Sequence, residues 1–314
     1  MGKGSGFGKV ILFGEHFVVH GVPGIVSAID STNDAEVKKS INGITIQDLR
    51  KAAKGYAEEK KMQQLESIDR ILIAMGIKSK TVAFNIILGG TLPGFSGLGA
   101  SAASSVAIVR ALAEEYGKDF SDERINEIAY EAEKAYAGTP SGIDNTAATF
   151  GGLLWFKKNM GGGQNTIEKL HIKKPAEIVI GSTGVVANTK AMVEGVAERK
   201  RRNPEKCDTL FEQAEALAFI GRKALHEYNL KRVGELMNEN HVLLQEIEVS
   251  HEKLDHLVNI ARKQGAYGAK LTGGGGGGCM VALTPGKELQ GRVAKAIENE
   301  GYEVLRTRIG VEKT

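Results

Sequence analysis

The residues with the clearest potential for chemistry lie in a segment rich in glycine and serine, Gly94 to Ser105. This segment follows the apolar, β-branched run Thr81 to Leu88 and leads into a helical pattern. A helix start carries unpaired N–H groups and partial positive charge, and glycines allow its backbone to approach a phosphate closely. The segment therefore predicts either a phosphate-binding loop or a plain glycine-rich turn in which Ser96 or Ser101 caps the helix.

Two common nucleotide motifs fit this segment poorly. No Gly-Lys-Ser or Gly-Lys-Thr ends it, which excludes a Walker A loop. Gly97, Gly99 and Ala102 match the loose dinucleotide fingerprint, but that fold requires a second parallel strand with an acidic residue about 20 positions later. The sequence predicts a helix there instead, so a nicotinamide or flavin oxidoreductase is disfavoured.

A carboxylate, Glu133, lies on the apolar side of the helix predicted from about Asp122 to Ala137, which Ser121 would cap. A carboxylate that faces inward needs a cation or hydrogen-bond donors to offset its desolvation. A magnesium ion beside a phosphate loop would serve, because it usually takes one or two carboxylates together with phosphate oxygens. The alternative is a partly buried glutamate paired with Lys134 or with an arginine. The apolar stripe is Ile125, Ile128, Ala129, Ala132 and Tyr136, and the acids predicted to be solvated are Glu123, Glu127 and Glu131.

Asp144 follows the turn Gly138 to Gly142, in which Pro140 cannot continue the preceding helix. It stands at or near the start of a further short helix. As an N-cap it would be purely structural. As a base it would face a substrate hydroxyl while the helix N-terminus keeps it ionised. The sequence leaves both interpretations open.

Further polar residues lie at the end of a predicted strand, Lys9 to Phe13, and just beyond it. His16 and His20 have a spacing that suggests zinc, but this spacing brings two ligands together only on a helix, and Phe17 to Val19 favours a strand. Two interpretations are open for Lys9 and Glu15. They are a surface lysine and a turn residue, or they are both parts of a functional site. Farther along, the six glycines Gly273 to Gly278 predict a backbone that closely approaches a ligand or another loop.

The composition describes an ordinary globular chain of 314 residues, 42% hydrophobic and 25% charged, long enough for two domains. A net charge of +3 is too small to indicate a nucleic-acid or membrane partner, and the basic run Glu198 to Arg202 is typical of a solvated helix end. Cys207 and Cys279 have no pairing or metal-ligand spacing, which favours a reducing compartment. With no signal-peptide pattern and no long apolar run, the sequence predicts a cytoplasmic protein.

Strands and helices alternate along the chain, and the sequence predicts a domain boundary near residue 175. The predicted strands are Lys9 to Phe13, Ile44 to Gln47, Thr81 to Leu88, Gly152 to Lys157, Ala176 to Ile180, Tyr302 to Arg308 and two that flank Gly273 to Gly278. The predicted helices are Gly55 to Met75, Ser101 to Tyr116, Asp122 to Ala137, Cys207 to Tyr228, Leu230 to Glu246, Ser250 to Gln264 and Lys287 to Glu298.

Taken together, these segments resemble the GHMP small-molecule kinase superfamily, and within it the mevalonate kinases, in the same order along nearly the whole chain. The first family motif is matched by Gly8 to His16, the second by Pro93 to Ser101 and the third by Lys270 to Cys279. The resemblance implies a two-domain fold with its active site in the cleft between the domains. These would be a ribosomal-protein-S5-domain-2-like domain, residues 1–175, and a ferredoxin-like α+β domain, residues 176–314.

The resemblance also implies a role for each candidate residue in magnesium-dependent transfer of phosphate from ATP to mevalonate. Ser101 and Glu133 would bind magnesium, Asp144 would act as the base towards the 5-hydroxyl, and Lys9 would lie between that hydroxyl and Asp144. Gly273 to Gly278 would pack against the phosphate loop. The ATP-binding residues would be Gly94, Ser96, Gly97, Leu98, Gly99, Ala100, Ser101 and Ala102, and the substrate-binding residues Lys9, Glu15, His16, His20, Asp144, Thr189 and Gly274.

Three positions depart from the family pattern: Phe7 replaces a proline, Ala100 the first of two serines, and Gly274 an alanine. The segment after His16 lacks the acidic residue and tyrosine of galactokinases, which favours mevalonate over a sugar. The alternatives are a phosphomevalonate, homoserine or sugar kinase, or a catalytically silent relative that senses a metabolite. We expect small-molecule partners only, with neither nucleic acid nor membrane, and a homodimer is compatible with the family.

Overall fold

The computed structural model describes residues 1–41, 43–50, 56–78, 82–95, 97–138 and 140–312, with only the backbone described at 56–60. The chain forms two compact units. Unit 1 comprises residues 1–9, 30–94 and 99–151, and unit 2 comprises residues 10–29, 95–98 and 152–314. Among the described residues, no helix combines the length and apolar composition needed to cross a membrane.

Unit 1 packs helices against a small sheet. The strands β1 (Gly2–Phe13) and β2 (Gly24–Lys39) begin in one unit and end in the other. Within unit 1, β2 pairs antiparallel with β4 (Phe84–Gly90), which pairs in parallel with β3 (Ile44–Asp48). The helices are α1 (Tyr56–Ala74), α2 (Ala100–Glu115), α3 (Asp122–Ala137) and α4 (Ile143–Phe150).

Helix α2 is the centre of unit 1, since all but a few of its residues are buried. Alternate glycines of β1 allow the strand to lie directly on this helix. A Cβ atom at Gly4 would lie 2.2 Å from the Ala107 carbonyl oxygen, and one at Gly6 would lie 2.3 Å from that of Ala103. Such approaches exclude any side chain. The β1 glycines therefore help to fix the position of α2 and of its N-terminus.

The described residues of unit 2 form antiparallel strands, five α-helices and the 3-10 helix His16–His20. Its strands β10, β7, β9 and β8 are neighbours in that order, and β10 also pairs with β2 through Ile309 and Ile29. A second set pairs β2 with β5 and β5 with β6. The strands are β5 (Leu153–Lys157), β6 (Thr166–Leu170), β7 (Ala176–Ser182), β8 (Gly268–Thr272), β9 (Cys279–Leu283) and β10 (Glu303–Ile309). The helices are α5 (Thr189–Arg202), α6 (Pro204–His226), α7 (Leu230–Glu246), α8 (Glu252–Lys263) and α9 (Lys287–Asn299).

Most predicted elements are present, but the pattern missed three and misread one. β2, β6 and α5 were not predicted. β2 carries a polar stretch from Asp30 to Asp34 that hides its strand pattern, although Ser31 and Asn33 in it are buried. The prediction of a strand at Phe17 to Val19 is wrong, because His16–His20 forms a 3-10 helix. The predicted cap of α3 is confirmed, since the Ser121 hydroxyl accepts a hydrogen bond from the Arg124 N–H.

Candidate active site

A buried lysine and a half-buried aspartate form an ion pair in unit 1. Lys9 Nζ lies 3.0 Å from Asp144 Oδ1, and the two side chains are 3% and 36% exposed. Gly142 is the N-cap of α4, so Asp144 lies in the first turn and is not the cap. The start of α4 and the Lys9 ammonium group both suit an acidic side chain at this position. Asp144 therefore has the surroundings of an accessible anion held in place by a cation.

Ser101 and Glu133 form a second polar pair in unit 1. The Ser101 hydroxyl donates to Glu133 Oε2 at 3.1 Å, and Glu133 is buried. The other oxygen, Oε1, is buried and has no hydrogen-bond partner among the described residues. Lys134 contacts Glu131 at 2.6 Å, which leaves Glu133 without the lysine partner considered from the sequence. A buried carboxylate oxygen without a donor is costly, so Oε1 favours a further polar or cationic partner.

The protonation of Glu133 reflects these surroundings. Burial and the nearby Asp144 carboxylate raise the pKa of Glu133 to about 8, although the Ser101 hydrogen bond and the Lys9 charge act in the opposite direction. The carboxyl group is therefore largely protonated at neutral pH unless a cation approaches it. No group of three or more His, Cys, Asp or Glu side chains within the described ranges could hold a metal. A cation at Glu133 would need further oxygen ligands from a hydroxyl, a phosphate or water, as magnesium commonly has.

The glycine- and serine-rich segment ends in an uncapped helix start. Gly99, with φ 69°, is the N-cap of α2 and has no side chain to occupy the first N–H groups. A Cβ atom there would lie 3.0 Å from Lys9 Cγ, so the lysine stem passes directly beside this turn. Free N–H groups at the start of a helix form an anion site. The neighbouring predicted residues Gly94, Leu98, Ala100 and Ala102 are all buried, and Ser96 lies outside the described residues.

The cluster of six glycines, Gly273 to Gly278, contacts Gly97 within unit 2 through Gly273. A Cβ atom on Gly273 would lie 2.7 Å from Gly97 Cα, and one on Gly97 would lie 2.9 Å from the Thr272 carbonyl oxygen. Both glycines have positive φ values, +84° and +100°. The predicted packing of this cluster against the phosphate segment is therefore observed. At the next position, a Cβ atom on Gly274 would lie 2.4 Å from Thr189 Oγ1.

His16 is buried in unit 2 and has one occupied ring nitrogen. Its Nε2 lies 2.9 Å from the Gly274 carbonyl oxygen, which can only accept, so Nε2 carries the proton. Its Nδ1 is buried and has no partner among the described residues. Burial lowers the pKa of His16 to about 4, so the ring is neutral at pH 7. His16 therefore presents a free hydrogen-bond acceptor rather than a positive charge.

Glu15 is engaged inside the protein. Its carboxylate forms a buried ion pair with Lys270 and accepts a hydrogen bond from Asn240 Nδ2 at 3.1 Å. The sequence pointed to Glu15 but not to its partners. A lysine between Ala269 and Leu271 in an otherwise apolar strand is the signal that would have identified Lys270.

His20 lies beside an aromatic ring of α6 in unit 2. The His20 ring lies 5.0 Å from the Phe211 ring, and Lys200 Nζ lies 4.6 Å from that ring. Burial and the charges of Lys200 and Lys158 lower the pKa of His20. Its Nε2 is buried and has no partner among the described residues. Unpartnered ring nitrogens on both histidines suit a polar ligand.

The structure brings most of the predicted residues together within their own units. In unit 1 the assembled residues are Lys9, Gly99, Ser101, Glu133 and Asp144. In unit 2 they are Glu15, His16, Gly97, Thr189 and Gly274. One further contributor, Asn33 on β2, donates from Nδ2 to the Ala100 carbonyl oxygen at 2.9 Å and so fixes the first turn of α2. It was not found from the sequence because β2 itself was not predicted.

Comparison with known proteins places this geometry in a family. Residues 64–152 match the family model for the GHMP kinase N-terminal domain, and residues 222–303 match that for the GHMP kinase C-terminal domain. The mevalonate kinase of Pyrococcus horikoshii is 36% identical, over 97% of this chain and 94% of the relative. That of Methanothermobacter thermautotrophicus is 32% identical, over 88% of each chain.

Solved structures agree with these relatives. A crystal structure of L. major mevalonate kinase in complex with R-mevalonate superposes with a TM-score of 0.93 at 35% identity, and covers 100% of this chain and 97% of that one. The Methanococcus jannaschii mevalonate kinase gives a TM-score of 0.80 at 27% identity, with 98% of both chains covered. The two-domain α+β fold expected from the motifs is thereby confirmed. The chain belongs to the mevalonate kinase family of the GHMP kinases.

Proposed function

We propose that this protein transfers the γ-phosphoryl group of ATP to the 5-hydroxyl of mevalonate, giving 5-phosphomevalonate for isoprenoid synthesis. The observation that carries this proposal is the Lys9–Asp144 ion pair beside Ser101 and Glu133 at the uncapped start of α2. Phosphoryl transfer depends mainly on positioning and charge stabilisation, and this arrangement provides both. A covalent enzyme intermediate is not required.

The ATP phosphates would lie at the N-terminus of α2. The first N–H groups of this helix and its positive dipole end suit an anion, and Gly97 and Gly99 allow close approach. The residues assigned to this role are Gly94, Ser96, Gly97, Leu98, Gly99, Ala100, Ser101 and Ala102. Ala100 contributes its backbone, since its side chain is buried and its carbonyl oxygen is bound by Asn33. The hydroxyl that Ala100 lacks is therefore not required to fix this turn.

Magnesium would bind Ser101 Oγ and the unpartnered Oε1 of Glu133. The donor set fits, because a buried carboxylate oxygen without a donor and an adjacent hydroxyl are oxygen ligands of the kind that magnesium takes. Magnesium held by these two residues would supply positive charge against the negative charge that develops on the transferred phosphoryl group. Glu133 is the only carboxylate that we assign to it.

Asp144 would accept the proton of the attacking hydroxyl. One of its oxygens is held by Lys9 while the side chain stays partly exposed, so a hydroxyl can reach it. Lys9 would steady the negative charge that develops on the attacking oxygen as the proton leaves. The Lys9 stem against Gly99 connects this proton transfer to the phosphate loop.

The acceptor would contact residues of unit 2. Neutral His16, with a bare Nδ1, suits a hydroxyl group of mevalonate better than its carboxylate, because Nδ1 can only accept a hydrogen bond. The positive charge that pairs with the mevalonate carboxylate must then come from a residue other than His16. The remaining residues assigned to the acceptor are Glu15, His20, Thr189 and Gly274, with Glu15 acting through its neighbours.

The test is ADP release by the purified protein with ATP and magnesium over a panel of acceptors. We expect turnover with mevalonate and much less with phosphomevalonate, homoserine or galactose. Equal rates with these acceptors would indicate another GHMP kinase. Binding of mevalonate without turnover would indicate a metabolite sensor. A cytoplasmic location and a homodimer also remain proposals, which cell fractionation and gel filtration would check.

We expect the affinity for magnesium to rise with pH up to about 8. The pKa of Glu133 is raised to about 8, so below that pH a proton must leave the carboxyl group before the cation can bind. Each pH unit below this value should weaken binding by up to about tenfold. Calorimetric titration of magnesium and a non-hydrolysable ATP analogue between pH 7 and 9 measures this slope. An affinity that does not depend on pH would contradict the assignment of Glu133.

A further inference from the structure

Unit 2 contains a wholly buried ion pair that the proposed mechanism does not use. The Lys270 ammonium group contacts the Glu15 carboxylate, and both side chains are 0% exposed. Taking two charges out of water is costly, and a well-packed apolar pair of similar volume is often as stable or more stable. Stability alone is therefore a weak reason for these two charges. Their geometry indicates what else they do.

Further hydrogen bonds hold both partners. Lys270 Nζ also donates to the carbonyl oxygens of Ile11 at 3.2 Å and Leu271 at 2.7 Å. The second Glu15 oxygen accepts from Asn240 Nδ2 at 3.1 Å. The ammonium group thus joins the last part of β1 to β8, and the carboxylate is held from two directions. Glu15 can hardly move without breaking charged hydrogen bonds, which are strong in a buried site of low dielectric constant.

The turn that follows β8 holds the next residue of the chain. His16 follows Glu15, and its Nε2 donates to the carbonyl oxygen of Gly274, which is four residues after Lys270. The segment of Glu15 and His16 is therefore attached twice to β8 and the turn that follows it. These two attachments set the direction of the unpartnered Nδ1 of His16.

We propose that Lys270 is a positioning residue for recognition of the acceptor. Through Glu15 it fixes the backbone that carries His16, and so aims Nδ1 at an acceptor hydroxyl. This inference rests on the proposed function, because the aim of His16 matters only if an acceptor binds there. Without the ion pair, the backbone that carries His16 loses its anchor at Glu15. The hydrogen bond from Nε2 to Gly274 then holds the ring less precisely, and Nδ1 is aimed less well at the acceptor.

The test is the double variant Lys270→Met with Glu15→Gln, which removes both charges at nearly constant shape and so leaves no uncompensated buried ion. We expect kcat/KM for mevalonate to fall by about 10- to 100-fold, mainly through KM, as for a displaced binding group. The KM for ATP should stay at its wild-type value. Unchanged kinetics with mevalonate would overturn the proposal.

A further variant separates positioning from general loosening of unit 2. Gln290, a buried residue whose amide donates to the Ile178 and Thr307 carbonyl oxygens at 2.9 Å, is the matched control. Gln290→Met should lower the melting temperature without raising the KM for mevalonate. An equal rise in both variants would overturn the positioning role.

If the double variant does not fold, the single variant Asn240→Leu tests the positioning role instead. It keeps the ion pair and removes one donor from Glu15, and we expect it to raise the KM for mevalonate in the same direction. A wild-type KM in a folded Asn240→Leu protein would overturn the inference. Wild-type protein that fails to phosphorylate mevalonate would instead overturn the proposed function.

Discussion

Replacing Asp144 with asparagine is expected to lower kcat for mevalonate phosphorylation by about 10²- to 10⁴-fold, the usual contribution of a positioned general base. Asparagine keeps the shape and can still accept a hydrogen bond from Lys9, but it cannot take a proton. The ATP phosphates would be held by the start of α2 and not by Asp144. The KM for ATP should therefore change little. Steady-state kinetics and nucleotide binding measure the two effects.

The control for this variant is Asp119→Asn, which changes an exposed aspartate of the same unit. It should leave kcat unchanged. A thermal melt of Asp144→Asn must show that the protein stays folded, because buried Lys9 loses the negative charge of its partner. Wild-type kcat in a folded Asp144→Asn protein would mean that Asp144 only holds Lys9. In that case the proton would leave the hydroxyl by another route.

Replacing Glu133 with glutamine is expected to lower kcat at saturating ATP by about 10²- to 10³-fold, the usual loss when one preorganised charge-stabilising group is removed. An amide oxygen is a poorer magnesium ligand than a carboxylate and carries no charge. The concentration of magnesium required for half-maximal rate should rise as well. The pH dependence of magnesium binding described above should disappear, because no titrating carboxyl group remains at this position.

The stability of the Glu133→Gln protein should rise, although its kcat falls. The pKa of Glu133 is raised from 4.5 to about 8 in the folded protein, so between these values the unfolded chain has lost the proton and the folded chain still binds it. Folding stability without magnesium therefore falls as pH rises through this range. Glu133→Gln removes that loss and should melt higher than wild type at pH 8. Melting curves of both proteins at pH 5 and pH 8 measure the difference.

The matched control is Glu131→Gln, two positions earlier on α3 and only half-buried. It removes a surface ion pair with Lys134, for which only a small effect on stability is expected. It should change neither the magnesium requirement nor kcat. If Glu131→Gln and Glu133→Gln behave alike, the loss reflects the net charge of α3 rather than a magnesium ligand.

The parts of the site that could be predicted are those in which a short segment carries its own chemistry. The phosphate segment requires glycines where a helix begins, and Gly97 and Gly99 do have positive φ values there. The spacing of Glu133 matches the apolar face of α3 and so predicts an inward side chain. The structure confirms that Glu133 is buried. The two open interpretations of Asp144 were not separable, because a helix start favours an acid both as a cap and as a functional group.

Other features could not be predicted, because the local residue pattern disagrees with the way those residues are buried in the tertiary structure. β2 was missed since its middle is polar, yet Asn33 is fully buried and hydrogen-bonded to the start of α2. The segment Phe17 to Val19 has strand composition but forms a 3-10 helix. In both cases packing against distant parts of the chain overrides intrinsic preference.

The sequence by itself determined most of the strands and helices, the glycine-containing segments and the polar residues that they carry, because each depends on neighbours a few positions away. Only the tertiary structure decided what those residues do to one another. Lys270 and Glu15 are 255 positions apart, and His16 and Gly274 are 258 apart. Burial, pKa and tautomer depend on such partners. A linear pattern carries no information on which of them meet.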